Sequence, residues 1–475
     1  MVTCQQVINE SEIQFGTSGA RGLVEQFSSQ VCAAFTVAFL SALKGRFDFE
    51  RVSIGIDRRP SSPQMAAACA QAAEQLGFKV DYCGVLPTPA LALHAMQNLQ
   101  PAIMITGSHI PFDRNGIKFY RPDGEITKAD EQAIVQSEAL VSDVNDLKTL
   151  VVNNDAVDLY LQRYASLLPA GFLAGKRVGI YEHSSAGRDL YAQLFSQLGA
   201  EVVPLGRSEE FVPIDTEAVR QEDIEKGQAW SKEYKLDFLF STDGDGDRPL
   251  MADEKGQWLR GDVLGLLTAD YLGIEALAVP VSCNTAIEQS QKFKKVMRTR
   301  IGSPYVIEGM QTLQASFAKV AGFEANGGFL LGSNVALKSH TLTALPTRDA
   351  LLPVLACMAS AIVSGVTLSQ LVAQLPPRYT ASDRVQNFAT TKSQALIAQW
   401  SNNPDIGLEK LGLADHTVAS QDQTDGLRVT LDNGYVVHLR PSGNAPELRC
   451  YVEADSQQQA QNLVKSSLSG LASLK

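Results

Sequence analysis

The sequence predicts an α/β protein: three similar mixed α/β domains of βαβ type plus a smaller C-terminal α+β domain, set around a central cleft. Three observations carry that expectation. Short apolar runs alternate with Ala-rich or amphipathic stretches in the order strand, helix, strand, and this order returns three times. The tripeptide Gln-Leu-Gly closes a helical stretch at 75–77 and again at 197–199, as an internal repeat would. After Pro376-Pro377 the pattern changes to strands joined by tight turns and flanked by helices. The expected domains are therefore 1–150, 151–255, 256–375 and 376–475.

In chain order, 51–57 alternates as a strand, 62–76 is an Ala-rich helix stopped by Gly77, 79–85 is a second strand and 88–97 a second helix. The apolar run Ala102-Ile-Met-Ile105 then reads as a buried parallel strand ending just before Ser108. The second pass has strands at 177–182, 201–205 and 236–241, with a helix at 186–198, and it ends on Asp243. A third pass alternates strand 276–281, helix 285–295, strand 296–300, helix 303–317 and strand 319–323, and ends on Glu324. Helix 351–366 follows, with Asp349 ahead of it and Pro353 tolerated in its first turn. In the last domain, helix 393–400, strands 427–431, 435–440 and 448–453, an Asp432-Asn-Gly434 turn and helix 456–474 complete the chain.

Composition narrows the function classes. Of the 475 residues, 45% are hydrophobic and 20% charged, as in an ordinary globular protein, and the net charge of -11 disfavours a nucleic-acid binder. Seven scattered cysteines without a C-x-x-C pair argue for a reduced, cytoplasmic chain lacking a disulfide framework or structural zinc. Residues 1–14 lack the cationic start and apolar run of a signal peptide. The most apolar stretch, 351–366, is shorter than the ~20 residues that span a bilayer, so no membrane partner is expected.

Ligand sites in α/β proteins lie where the strands end, so Ser108, Asp243 and Glu324 are expected to converge if the three units face one cleft. In Thr106-Gly-Ser-His-Ile-Pro111, Gly107 allows a tight turn, His109 adds a group that titrates near neutrality, and Asn115-Gly116 favours a hairpin turn aiming Lys118 back at Ser108. A hydroxyl beside a cation and an imidazole suits phosphoryl chemistry, although Ser108 also fits a helix N-cap. Asp243-Gly-Asp-Gly-Asp-Arg248 sets three carboxylates at alternate positions on a backbone able to wrap one hard cation, for which Mg²⁺ is suited. An EF-hand fits less well, because Arg248 occupies the position that needs Gly and a strand precedes. Phe15-Gly-Thr-Ser-Gly-Ala-Arg-Gly22 could bring backbone NH groups and Arg21 to an anion. Arg440-Pro-Ser-Gly-Asn444, continuing to Arg449, could cradle a phosphate, or be a surface hairpin with incidental arginines. Glu324-Ala-Asn326-Gly-Gly offers an acceptor and an amide to sugar hydroxyls, and a plain loop would look the same. No dinucleotide fingerprint, P-loop or G-x-S-x-G is present.

Taken together and in this order, the five segments resemble the α-D-phosphohexomutase family over essentially the whole chain. The resemblance implies an enzyme interconverting hexose 1-phosphate and hexose 6-phosphate through a phosphoserine at 108 and a 1,6-bisphosphate, which also serves as activator. It implies Mg²⁺ held by Ser108, Asp243, Asp245 and Asp247. Arg21, His109, Lys118 and Arg248 would line the reaction centre, with Lys118 and His109 the proton-transfer candidates. Glu324 and Asn326 would contact sugar hydroxyls, while Arg440, Ser442, Gly443, Asn444 and Arg449 would hold the idle phosphate. The chain departs from the family's Gly-Glu-x-Ser-Gly-His sugar loop at Phe323, Asn326 and Gly328, and has Ile110 where Asn is frequent. A mannose phosphate is the favoured substrate, by resemblance of the two binding loops, ahead of glucose or glucosamine phosphates. A serine-dependent phosphomonoesterase is the alternative from another class.

Overall fold

A computed structural model describes residues 2–16, 19–337, 340–442 and 446–474. The chain forms two compact units, one of Met1–Ile274 with Ala318–Leu371 and one of Glu275–Phe317 with Val372–Lys475. Among the described residues no helix is long and apolar enough to cross a membrane, and the seven cysteines are buried free thiols.

In the first unit the leading sheet runs Gln14–Phe15, Ala20–Leu23, Arg114–Arg121, Ala102–Ile105, Arg51–Ile56, Lys79–Val85, and Gly124–Glu125 pairs with Arg114–Arg121. Arg51–Ile56 pairs parallel with both Lys79–Val85 and Ala102–Ile105, as the βαβ pattern requires. Arg114–Arg121 is antiparallel to Ala102–Ile105, with Lys118 opposite Met104. Helices Ser29–Leu43 and Ser62–Gln75 bury Phe35, Phe39, Ala66 and Cys69 in one core with Ile103, Ile105 and Phe119 of the sheet. A second sheet orders Glu201–Leu205, Arg177–Tyr181, Phe238–Thr242 and Pro249–Ala252, the last strand antiparallel. Strands Val320–Phe323, Phe329–Leu331 and Leu345–Asp349 pair antiparallel in succession. Asp349 then accepts from the backbone NH groups of Leu351 and Leu352, which starts the buried helix Leu351–Ser364.

The Gln-Leu-Gly repeat has a conformational cause. Leu76 and Leu198 cap their helices, and Gly77 and Gly199 follow at φ 90° and 91°, a left-handed turn that glycine adopts without a side-chain clash.

In the second unit, Ala276–Pro280 and Lys295–Thr299 pair parallel beside helix Ser303–Gln314. An antiparallel sheet runs Tyr379–Gln386, Glu447–Ala454, Val436–Pro441, Leu427–Leu431, Val418–Asp422, with Trp400, Leu463 and Leu471 of the flanking helices in its core. The outer strands Tyr379–Gln386 and Val418–Asp422 escape the sequence pattern because their residues are largely exposed and lack apolar alternation.

Two expectations need correction. The helix expected over 285–295 is only Ala286–Gln289, and the chain leaves it through Gln291 at φ 53°. Arg298 ties down the approach to it through the carbonyls of Pro280 and Cys283. Asn115-Gly116 is not a hairpin turn but lies inside strand Arg114–Arg121. The Asn115 amide donates to Ser61 and Ser62, and a Cβ at 116 would meet the Ala20 and Thr106 carbonyl oxygens at 2.6 and 2.9 Å. That glycine serves close strand approach, and sheet register rather than a turn delivers Lys118.

Candidate active site

The loop after strand Ala102–Ile105 is built around two buried charges. Asp57, at the end of the neighbouring parallel strand, accepts from Thr106 Oγ1 at 2.8 Å and Ser62 Oγ at 2.7 Å. Thr106 Oγ1 in turn accepts from the Ser108 NH at 2.8 Å. Arg59, 1% exposed, pairs with Asp57 and donates to the carbonyls of Ser108, Ile110, Pro111 and Arg114 at 2.6 to 3.0 Å. The Phe211 ring lies 4.0 Å from the Arg59 guanidinium carbon. Gly107 is small for this reason: a Cβ there would lie 2.6 Å from Arg59 Nε. The left-handed residue of the loop is Ser108 itself, at φ 53°, a conformation that costs a non-glycine residue roughly 1–2 kcal/mol. The surrounding hydrogen bonds hold it there.

Ser108 Oγ donates to Asp243 Oδ2 at 2.6 Å, although 135 residues separate the two. Arg248 Nη1 reaches His109 Nδ1 at 2.5 Å and Ser108 Oγ at 3.4 Å. Burial, then the Arg248 charge, pushes His109 down to about 3, so its ring is neutral at pH 7 and Nδ1 accepts from the guanidinium. Lys118, 3% exposed, donates to Asp245 Oδ2 at 2.6 Å and Asp247 Oδ2 at 2.7 Å. Arg21 stands opposite Gly116 in the same sheet, pushed down to about 10 by burial and by Arg248.

Asp243, Asp245 and Asp247 are wholly buried, and each offers an oxygen within 4.8 Å of the others. Strand Phe238–Thr242 delivers the first, and Gly246 at φ 69° lets the chain fold back before Pro249–Ala252. Burial and the two neighbouring carboxylates hold Asp243 well above the usual range. Burial raises Asp247 too, but Arg348, Lys118 and Arg248 outweigh it and hold that carboxyl well below. Asp245 Oδ1 and Asp247 Oδ1 are buried with no hydrogen-bond partner. Unsatisfied buried carboxylate oxygens are costly, and a triad of oxygen donors suits a hard divalent ion, so these residues fit Mg²⁺.

Glu324 ends strand Val320–Phe323 and is 4% exposed, so all three strand ends predicted to meet lie in this one unit. Asn326 closes its own turn, its Oδ1 accepting from Gly328 NH at 3.0 Å and its carbonyl from Thr216 Oγ1 at 2.7 Å. Arg348 bridges Asp247 and Glu324, with Nη2 to Asp247 Oδ2 at 2.9 Å and Nη1 to Glu324 Oε2 at 3.1 Å.

In the second unit, the register places Arg384, Arg449 and Arg440 in one row across three strands, with Arg449 in the middle. Asp425 Oδ2 accepts from Arg440 Nε at 2.8 Å, and Ser442 is 4% exposed. Gly443 and Asn444 lie outside the described residues.

Sequence reasoning missed Arg59, Asp57, Thr88 and Arg348. Thr88 donates to Asp245 Oδ2 at 2.5 Å from the start of its helix. The one available signal was Asp57-Arg-Arg59 directly after a predicted strand.

The fold sets a serine hydroxyl against a buried acidic triad, an arrangement that suits the class of phosphoryl-transfer enzymes. The phosphoglucomutase/phosphomannomutase family models match the chain in order: alpha/beta/alpha domain I at residues 12–140, domain II at 160–256, domain III at 260–379 and the C-terminal domain at 392–467. A phosphomannomutase of Salmonella muenchen is 55% identical over 467 residues, covering 98% of this chain and 97% of that protein. One of Sinorhizobium fredii is 44% identical, covering 97% and 99%. The crystal structure of a putative phosphomannomutase from Thermus thermophilus shares the fold, with a TM-score of 0.77 at 21% identity, covering 97% of this chain and 99% of that one. The chain belongs to the phosphoglucomutase/phosphomannomutase family, the α-D-phosphohexomutases, and is a hexose phosphate mutase.

Proposed function

We propose that this mutase interconverts mannose 6-phosphate and mannose 1-phosphate, working through phosphorylated Ser108 with mannose 1,6-bisphosphate as intermediate and activator. The Ser108 to Asp243 contact carries the reading, because it places a hydroxyl against a buried acidic triad that has two oxygens outside any hydrogen bond. The full-length likeness to two phosphomannomutases supports mannose over other hexoses. The domains 1–150, 151–255, 256–375 and 376–475 would then contribute the serine, metal, sugar and phosphate loops respectively.

Phosphoserine 108 passes its phosphoryl group to the free hydroxyl of the monophosphate, whose proton must leave. Lys118 and His109 would be the groups that handle protons, and His109 would have to give up its contact with Arg248 to accept one. The bisphosphate then turns over and returns its other phosphoryl group to Ser108. Mg²⁺ held by Asp243, Asp245, Asp247 and the phosphoserine would offset the charge spread over the transferring group. Arg248 beside the serine, with Arg21 near Arg248 and the triad, would add fixed positive charge to the site. Arg440, Ser442, Gly443, Asn444 and Arg449 would hold the idle phosphate, with Glu324 and Asn326 on the sugar hydroxyls.

Ser108→Ala tests this. Turnover of mannose 1-phosphate should fall at least about 10³-fold, and intact-mass analysis should show one transferable phosphoryl group on the wild type and none on the variant. Free phosphate as the main wild-type product, without bisphosphate stimulation, would mean a phosphomonoesterase instead. Specificity constants for mannose, glucose and glucosamine 1-phosphates decide the sugar.

A further inference from the structure

Arg348 is held by its neighbours before it reaches the site. Strand Leu345–Asp349 lies antiparallel to Phe329–Leu331, with Asp349 opposite Phe329. Asp349 accepts from the hydroxyls of Tyr160 and Tyr164 and from the Leu351 NH, while Thr347 Oγ1 donates to Glu125 at 2.8 Å. The residues on either side of Arg348 are thus fixed by partners from three other segments. Its stem crosses directly over Gly328, where a Cβ would lie 2.6 Å from Cδ and 2.7 Å from Cγ. No side chain can stand at 328 without moving the arginine.

The guanidinium, 1% exposed, then divides between two loops. Nε and Nη2 donate to Asp247 Oδ2 at 3.1 and 2.9 Å, and Nη1 donates to Glu324 Oε2 at 3.1 Å. Asp247 Oδ1 makes no hydrogen bond and has only Arg248 Nε at 3.6 Å, and the planar fork of arginine fixes the relative placement of the two carboxylates as a single point charge could not.

We propose that Arg348 is a positioning residue that couples the acidic triad to the sugar loop, so that a cation bound by Asp247 pre-orders Glu324 for sugar hydroxyls, and a bound sugar tightens the cation. This rests on the function proposed above, which assigns Asp247 to the cation and Glu324 to the sugar. The coupling is reciprocal, since binding free energies in a closed cycle must balance. The separate loops need not change shape. It is enough that ordering one removes part of the cost of ordering the other.

The test measures binding of mannose 1-phosphate by calorimetry to dephosphorylated full-length enzyme, once in chelator and once at saturating Mn²⁺. The ratio of the two dissociation constants is the readout. Wild type should bind about tenfold more tightly with Mn²⁺. Arg348→Gln should bring the ratio close to one, and Arg348→Lys should restore only part of it, because an ammonium lacks the fork. Gly328→Ala keeps the charge but displaces the stem, and should lower the ratio as well, so the inference stays testable if Arg348→Gln does not fold. A lesion that merely loosens the fold would weaken both arms equally and leave the ratio unchanged. An unchanged ratio in both Arg348→Gln and Gly328→Ala overturns the coupling alone. Wild type that binds no hexose phosphate in either condition overturns the proposed function and the coupling with it.

Discussion

Among the described residues, two buried groups have the spacing to hold a metal ion. One is Asp243, Asp245 and Asp247, and the other is Asp81, Cys83 and His94, with ligand atoms likewise within 4.8 Å of one another. They differ in what is already bonded. In the second group Asp81 Oδ1 accepts from Asn153 at 2.9 Å, while Oδ2 meets His94 Nε2 at 2.7 Å and Gln100 at 3.3 Å. The Cys83 thiol donates to the Asp81 carbonyl, and burial, then Asp81, pushes it up, away from the thiolate a metal needs. The triad holds three carboxylates with two oxygens outside any hydrogen bond, and Lys118, Arg348 and Arg248 are gathered around it. Spacing is therefore shared, and buried carboxylate oxygens outside any hydrogen bond are what separate a cation site from a structural knot. Asp81 joins strand Lys79–Val85 and helix Thr88–Gln97 to the segment before helix Asp155–Ala165, which is a packing task.

Between these two groups, the larger effect on turnover should come from Asp247→Asn. Turnover should drop about 10²- to 10³-fold, the scale of removing one well-placed electrostatic group, and Mn²⁺ binding should be lost in the same variant. Asp81→Asn should leave turnover per folded molecule unchanged and instead cost about 1–3 kcal/mol of stability, read from urea unfolding, as its buried partners lose a charged acceptor. If Asp81→Asn abolished Mn²⁺ binding and Asp247→Asn kept it, the contrast would be reversed.

Mg²⁺ itself gives a smaller, sharper version. At about 100 times its dissociation constant, one bound ion should raise stability by about 2.7 kcal/mol, seen as a higher urea midpoint. The rise should persist in Asp81→Asn and vanish in Asp247→Asn. An equal rise in both would place the ion elsewhere.

How much of this could be read in the sequence depended on whether the cause was local. The three strand ends at Ser108, Asp243 and Glu324 were legible because each follows a short apolar run. Lys118 was found for the wrong reason: Asn-Gly commonly makes a turn, and only the tertiary contacts of Asn115 with Ser61 and Ser62 show why it is extended here. Arg348 carries no local mark and Arg59 only its place after a predicted strand, because each crosses to a loop about 50 or 100 residues away, and their partners become visible only when the sheets are assembled. The helix expected at 285–295 failed on a left-handed Gln291 that no propensity signals. The sugar loop's Gly328 looked like a lost side chain, and is instead the floor over which Arg348 passes.

The contrast between satisfied and unsatisfied groups extends to histidine, and gives the pH dependence. His94 has the Asp81 carboxylate on its ring, whereas His438, 1% exposed, has a backbone carbonyl: Nε2 meets Asp425 O at 2.6 Å and Nδ1 has no partner. Its ring stacks on Tyr451, and the Arg428 and Arg440 charges act on it against the Asp425 carboxylate. Burial, only partly offset by the Asp425 carbonyl, pushes His438 down to about 4. Below pH ~6.5 the unfolded chain takes up a proton that the folded site refuses until about pH 4, so stability falls with acidification across that window. Between pH 7 and pH 5 the loss from this one group should be about 2 kcal/mol. Hydrogen exchange of strand Val436–Pro441 in urea, compared for wild type and His438→Gln at both pH values, measures it. The variant should lose about that much less than wild type, and parallel losses in the two proteins would show that the ring titrates freely in the folded sheet.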